Sequence, residues 1–181
     1  MNCEPLKKHI IDTVKEWQMK IGYRPESMKL YYPAVSLAEL LGLPEDAGKE
    51  QLQRALLEFA EKEEAFLGKL SFAEKEDRWD LTIPPEGCTW IHENFPDSPL
   101  LADFIRTITT PGKTLEDVRA CFARYALPGH PLQEADHVHD GMGRVFFYEG
   151  GQPDEYVYCV EADDFGLTYH RFTMEDYKKL I

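Results

Sequence analysis

The run KLSFAEKEDRWDLTI, Lys69 to Ile83, is where the hydrophobic period of the chain changes. Leu70 and Phe72 fall on one arm, and Trp79, Leu81 and Ile83 on the other. On both arms apolar and polar residues alternate by two, which puts the apolar set on one face of a pleated strand. The charged middle, Glu74 to Asp77, reads as a tip of about four residues, so the run is a β-hairpin. Pro84 to Gly87 (PPEG) closes it and is the candidate domain boundary.

Upstream the period is helical. Leu6, Ile10, Val14, Trp17 and Ile21 recur at steps of four and three, with lysines and acids on the other side, and Gly22 is a plausible terminator. SMKLYYP, Ser27 to Pro33, reads as a brief strand. In SLAELLGLP, Ser36 and Glu39 form a capping-box pattern, and Gly42 with Pro44 stops the helix. A third helix runs from about Lys49 to Phe66, with Leu52, Ala55, Leu56, Phe59 and Phe66 on its apolar face. The order of helix, strand, helix, helix and hairpin over residues 5–85 resembles the winged helix-turn-helix fold. That resemblance implies DNA binding, with Lys49, Gln51, Gln53 and Arg54 as the residues that would meet phosphates and bases. The same helix carries Glu50, Glu58, Glu61, Glu63 and Glu64, and the wing tip is EKED, a pattern that disfavours nucleic acid.

Downstream, DSPLLADFIRTIT and TLEDVRACFARYA read as two helices, capped by Ser98 with Pro99 and by Thr114 with Asp117. A Pro/Gly-punctuated connection, LPGHPLQEADHVHDGMG, leads into three strand-like runs: Arg144–Glu149, Glu155–Glu161 and Leu167–Phe172. Their short links imply an antiparallel meander, and a last helical turn starts at Thr173. The expected architecture is α+β. A winged-helix-like domain occupies 1–87; a helical pair plus a three-stranded antiparallel β-meander occupies 88–181 and is expected to pack closely on the first.

The 181 residues hold 33 acidic and 20 basic side chains, a formal net charge of −13. Such a field repels phosphate backbones and anionic membrane surfaces and favours solubility. Cys3, Cys88, Cys121 and Cys159 show no C-x-x-C pair or metal-finger spacing and read as reduced core residues. The N-terminus lacks a signal-peptide pattern, and no apolar run approaches the ~18 residues of a membrane span. A cytoplasmic protein is expected.

The stretch EADHVHDG, Glu134 to Gly141, is the best candidate for chemistry. If extended, it points His137 and His139 to one face about 6.6 Å apart. With Asp140 or Glu134 they would make a His₂-carboxylate set for a divalent metal, and His130 and His170 are further candidates. The alternative is a solvated acidic loop. Asp154, Glu155, Glu161, Asp163 and Asp164 could pair as carboxylates, but Asp at hairpin ends is a common turn residue. No nucleophile elbow, P-loop or dinucleotide fingerprint is present. Phe146, Tyr148, Tyr156, Tyr158 and Tyr169 give an aromatic sheet, covered on both sides or leaving tyrosines as a binding surface.

IIDTVKEWQMKIGYRPESMKLYYP (Ile10–Pro33) and DEYVYCVEADDFGLTYHRFT (Asp154–Thr173) resemble a family of uncharacterised bacterial proteins from gut anaerobes, a domain of unknown function. The resemblance implies a cytoplasmic bacterial protein and transfers no catalytic residue. The leading functional expectation is a non-enzymatic binding or protein-interaction module, with a protein partner or self-association. A metal-dependent enzyme centred on His137 and His139 and a DNA-binding regulator are the alternatives.

Overall fold

A computed structural model describes residues 3–76, 78–136 and 143–181. The chain divides into two compact units, Met1–Asp97 and Ser98–Ile181.

In the first unit the elements run α1 (Glu4–Ile21), β1 (Met28–Pro33), α2 (Ala34–Leu40), α3 (Lys49–Leu67), β2 (Ser71–Lys75), β3 (Arg78–Ile83) and α4 (Pro85–Asn94). The strands form an antiparallel sheet in the order β1-β3-β2. Leu6, Ile10 and Val14 of α1 and Leu52, Leu56 and Phe59 of α3 close on Leu30, Leu81 and Ile83 of the sheet. The alternation read in Lys69 to Ile83 is the observed hairpin, but its tip is tighter. Lys75 pairs with Arg78, and Glu76 takes φ 54°, the left-handed conformation that short hairpin links use.

Two boundaries differ from expectation. α2 starts at Ala34, so Ser36 lies inside the helix and the expected capping box with Glu39 is not at its start. Pro33, extended at φ −56° and ψ 145°, ends β1 and leads directly into the helix. Gly42 does end α2, at φ 67°, with the Leu43 N–H donating to the Ala38 carbonyl. The PPEG stretch opens a helix rather than closing a domain: Pro85 sits in the first turn of α4, and Gly87, Cys88 and Ile91 are buried. The compact unit runs to Asp97.

The second unit holds α5 (Pro99–Thr109), α6 (Leu115–Tyr125), β4 (Leu132–Asp136), β5 (Gly143–Tyr148), β6 (Val157–Asp163), β7 (Gly166–Phe172) and α7 (Met174–Leu180). The caps read in the sequence form: Ser98 Oγ accepts the Leu101 N–H at 3.3 Å, and Thr114 and Asp117 cap each other reciprocally. The antiparallel sheet has four strands, β4-β5-β6-β7, where three were expected. The extra strand, β4, comes from the Pro/Gly-punctuated connection. LQEAD lacks β-branched and aromatic residues; its ladder with β5, Leu132↔Tyr148 to Asp136↔Arg144, makes it a strand.

Phe146 and Tyr158 meet Phe122 on one face, and Tyr158 and Tyr169 meet Phe104 there. Val145, Val157 and Cys159 pack with Tyr177 of α7 on the other, so helices cover both faces. The buried phenols find partners: Tyr148 donates to the Phe122 carbonyl at 2.7 Å and Tyr158 to Asp154 Oδ2 at 3.0 Å.

Candidate functional site

The apolar stripe of α1 is only partly used by the core. Leu6, Ile10 and Val14 are fully buried, whereas Trp17 and Ile21 are 45% and 58% exposed. His9, Thr13, Trp17 and Ile21 succeed one another at i, i+4 spacing and so share one side of the helix. Ser27 and residues Met28 to Tyr32 supply the opposite wall of an open groove of about 480 Å³. Tyr31 in that wall is 55% exposed.

β1 pairs with β3 on one side, and its other edge carries no strand among the described residues. An unpaired strand edge beside an apolar groove is a template for an extended chain: the backbone offers hydrogen bonds and the groove receives alternate side chains.

Lys29 is exposed in the wall. Lys20 Nζ lies 5.2 Å from the Trp17 ring and the Arg78 guanidinium 4.9 Å from the Tyr31 ring, and each is also paired with a carboxylate, Lys20 with Glu16 at 3.2 Å and Arg78 with Asp80 at 3.7 Å. Within the groove, His9 Nδ1 is 3.0 Å from the Tyr32 hydroxyl, and burial raises the Tyr32 pKa so that the phenol stays protonated. No carboxylate lines the groove among the described residues. The arrangement offers apolar area and open backbone, both of which bind.

His137, His139 and Asp140 lie outside the described residues. Glu134, a proposed third ligand, has both oxygens engaged by Arg119, with Nε 2.7 Å from Oε2 and Nη2 on Oε1. Asp136 pairs with Arg144. His130 Nδ1 is 2.8 Å from the Glu149 carbonyl, next to the β4 edge, while His170 sits on the opposite edge strand, β7, across from Cys159. Among the described residues no group of three His, Cys, Asp or Glu side chains is placed to hold a metal ion.

The meander carboxylates shape turns. Asp163 Oδ1 accepts the N–H groups of Phe165 and Gly166, and Asp154 Oδ1 accepts that of Tyr156. All four cysteines are buried and none is in a disulfide; burial pushes the Cys159 thiol up to about 11. On α3, Lys49 is tied to Glu74 of the hairpin, and Gln51 Oε1 accepts the Gly48 N–H at 3.2 Å.

The Arg119–Glu134 pair joins α6 to β4 and holds the Glu134 carboxyl below its ordinary value of 4.5. A depressed carboxylate stabilises the fold above its unfolded pKa, and that contribution is lost as pH falls through the lower folded value. Glu134→Gln is therefore expected to flatten the stability–pH curve below about 4.5, where unfolding by urea at stepped pH reads it. An unchanged acid limb would show that the pair adds nothing in solution.

A family model described as "Domain of unknown function, E. rectale Gene description (DUF3877)" matches residues 3–181. The chain belongs to this family. Membership covers both units, and the family description names no activity. Searches of the curated proteins and of the solved structures found no match. No helix among the described residues is long and apolar enough to cross a membrane.

Proposed function

We propose that this DUF3877 protein is a non-enzymatic, cytoplasmic binding module whose α1–β1 groove takes an extended, acidic peptide segment with an aromatic or apolar anchor. The observation that carries this reading is the uncovered set Trp17, Ile21 and Tyr31 beside the unpaired edge of β1. Burial of those side chains supplies affinity, the strand edge supplies main-chain hydrogen bonds, and Lys29, exposed in the wall with no carboxylate lining the groove among the described residues, favours an acidic segment.

On the same reading the first unit is a winged-helix-like scaffold. The order α1, β1, α2, α3, β2, β3 and the strand order β1-β3-β2 support it. The scaffold serves protein contact rather than duplex DNA. Glu50, Glu58, Glu61 and Glu64 are exposed along α3, the lysine at its start is neutralised by Glu74, and Gln51 is spent on its own helix start.

A capped nonapeptide with one Phe preceded by two Asp, titrated into the protein by isothermal calorimetry, tests the proposal. Saturable binding is expected, weakened about tenfold by Trp17→Ala because the anchor loses its partner ring. Lys29→Glu should weaken it further at low salt than at high salt. No binding at millimolar peptide would overturn the reading.

A further inference from the structure

The second unit carries the complement of this groove. β6 and β7 are joined by a tight turn in which Asp163 pairs with Gly166 and leaves 164–165 as the tip. Asp163 Oδ1 holds that turn by accepting the Phe165 N–H at 2.8 Å and the Gly166 N–H at 3.1 Å. Phe165 projects from it 99% exposed, flanked by Asp163 and Asp164. A phenylalanine held fully in water on an ordered two-residue tip forgoes burial that an apolar contact would recover.

We infer that the Asp163–Gly166 tip of one copy of this chain docks into the α1–β1 groove of a second copy, with Phe165 as the anchor. This rests on the peptide-binding reading of the groove. Three properties match. The anchor is one aromatic ring, and the groove of about 480 Å³ is walled by Trp17, Ile21, Met28 and Tyr31. The anchor is flanked by carboxylates, and the groove wall presents the exposed Lys29 with no lining carboxylate among the described residues. The tip is preformed, so docking orders little new backbone. The contact is heterologous: different surfaces meet, so two copies either exchange tips reciprocally or add head to tail. A contact built on one anchor belongs to the weak, transient class, with half-association on the order of 10⁻⁴ M.

Sedimentation equilibrium of the full chain from about 10 µM to 1 mM is the test, since that range brackets the expected association. The expected result is a mass that rises above the 20.9 kDa of the single chain as concentration increases. Phe165→Ser should weaken association at least tenfold, Trp17→Ala similarly, and Asp164→Lys should weaken it most at low salt. Phe165 is fully exposed, so its substitution leaves the fold intact, which circular dichroism verifies. A constant monomer mass, or association indifferent to Phe165→Ser, overturns the inference. If the chain stays monomeric while the Asp-Asp-Phe nonapeptide still binds, the second-copy assignment falls and the groove reading stands. If neither occurs, both fall.

Discussion

Phe122→Ala is expected to lower the stability of the second unit by about 3–5 kcal/mol. Phe122 is fully buried on α6, and four rings surround it. Phe146 stacks on it at 5.5 Å between centroids, Phe104 lies at 5.1 Å, Tyr158 at 5.0 Å and Tyr148 at 6.0 Å. Truncation removes the ring's burial and leaves a cavity whose cost depends on how far the walls can collapse. Here the walls are held in place. The Tyr148 hydroxyl donates to the Phe122 carbonyl itself, the Tyr158 hydroxyl donates to Asp154, and both tyrosines stand on adjacent regions of one sheet. The loss should sit at the upper end of the range and form a large part of the ~5–15 kcal/mol typical of a domain. Trp17, Trp79 and Trp90 all lie in the first unit, so far-ultraviolet circular dichroism during urea unfolding is the readout. A loss below 1 kcal/mol would mean that this cluster is not the core of the unit.

How much of this was legible follows from which interactions are local. The hairpin from Lys69 to Ile83 declares itself because alternation by two is a property of neighbouring residues. The caps at Ser98, Thr114 and Thr173 do so for the same reason, since each satisfies backbone donors three residues on. β4 was missed because nothing inside LQEAD favours a strand; its ladder partners lie in β5, and Arg119 on α6 fixes Glu134 from outside. α4 was missed because Pro-Pro-Glu-Gly is punctuation by local rules, while its helical role depends on Gly87 fitting against the end of α3.

The groove is hidden in a different way. Periodicity marks Trp17 and Ile21 just as it marks Leu6 and Ile10, and does not say where the covering core ends. Phe165 was equally unmarked by periodicity, although an aromatic between Asp and Gly in a turn has no core face to turn toward.

Gly87→Ala is expected to cost about 2–4 kcal/mol, the reverse of the usual sign for such a change in a helix. Glycine in a helix ordinarily weakens it by about 0.5–1 kcal/mol relative to alanine, so the exchange should stabilise if space allowed. Space does not allow it. A Cβ at Gly87 would stand 2.8 Å from Ile83 Cγ2 and from the Leu67 carbonyl carbon, and within contact of the Leu67 carbonyl oxygen. Two of those three atoms are backbone at the end of α3, and backbone yields only if one helix moves off the other. The backbone at Gly87 is not left-handed, so the cost is steric alone. Trp90, one turn further along α4, packs on Phe66 and Phe95, and any displacement of the helix should shift its emission. Gly48→Ala, with no atom within 4 Å of the added Cβ, is the control and should change stability by less than about 1 kcal/mol. The comparison also decides where the first unit ends. If alanine at 87 proves neutral or stabilising, α4 does not rest on α3 and the unit closes at the hairpin. If it destabilises and moves Trp90, the segment from Pro85 to Asn94 is part of the same core, and the prolines before it open a helix rather than a linker.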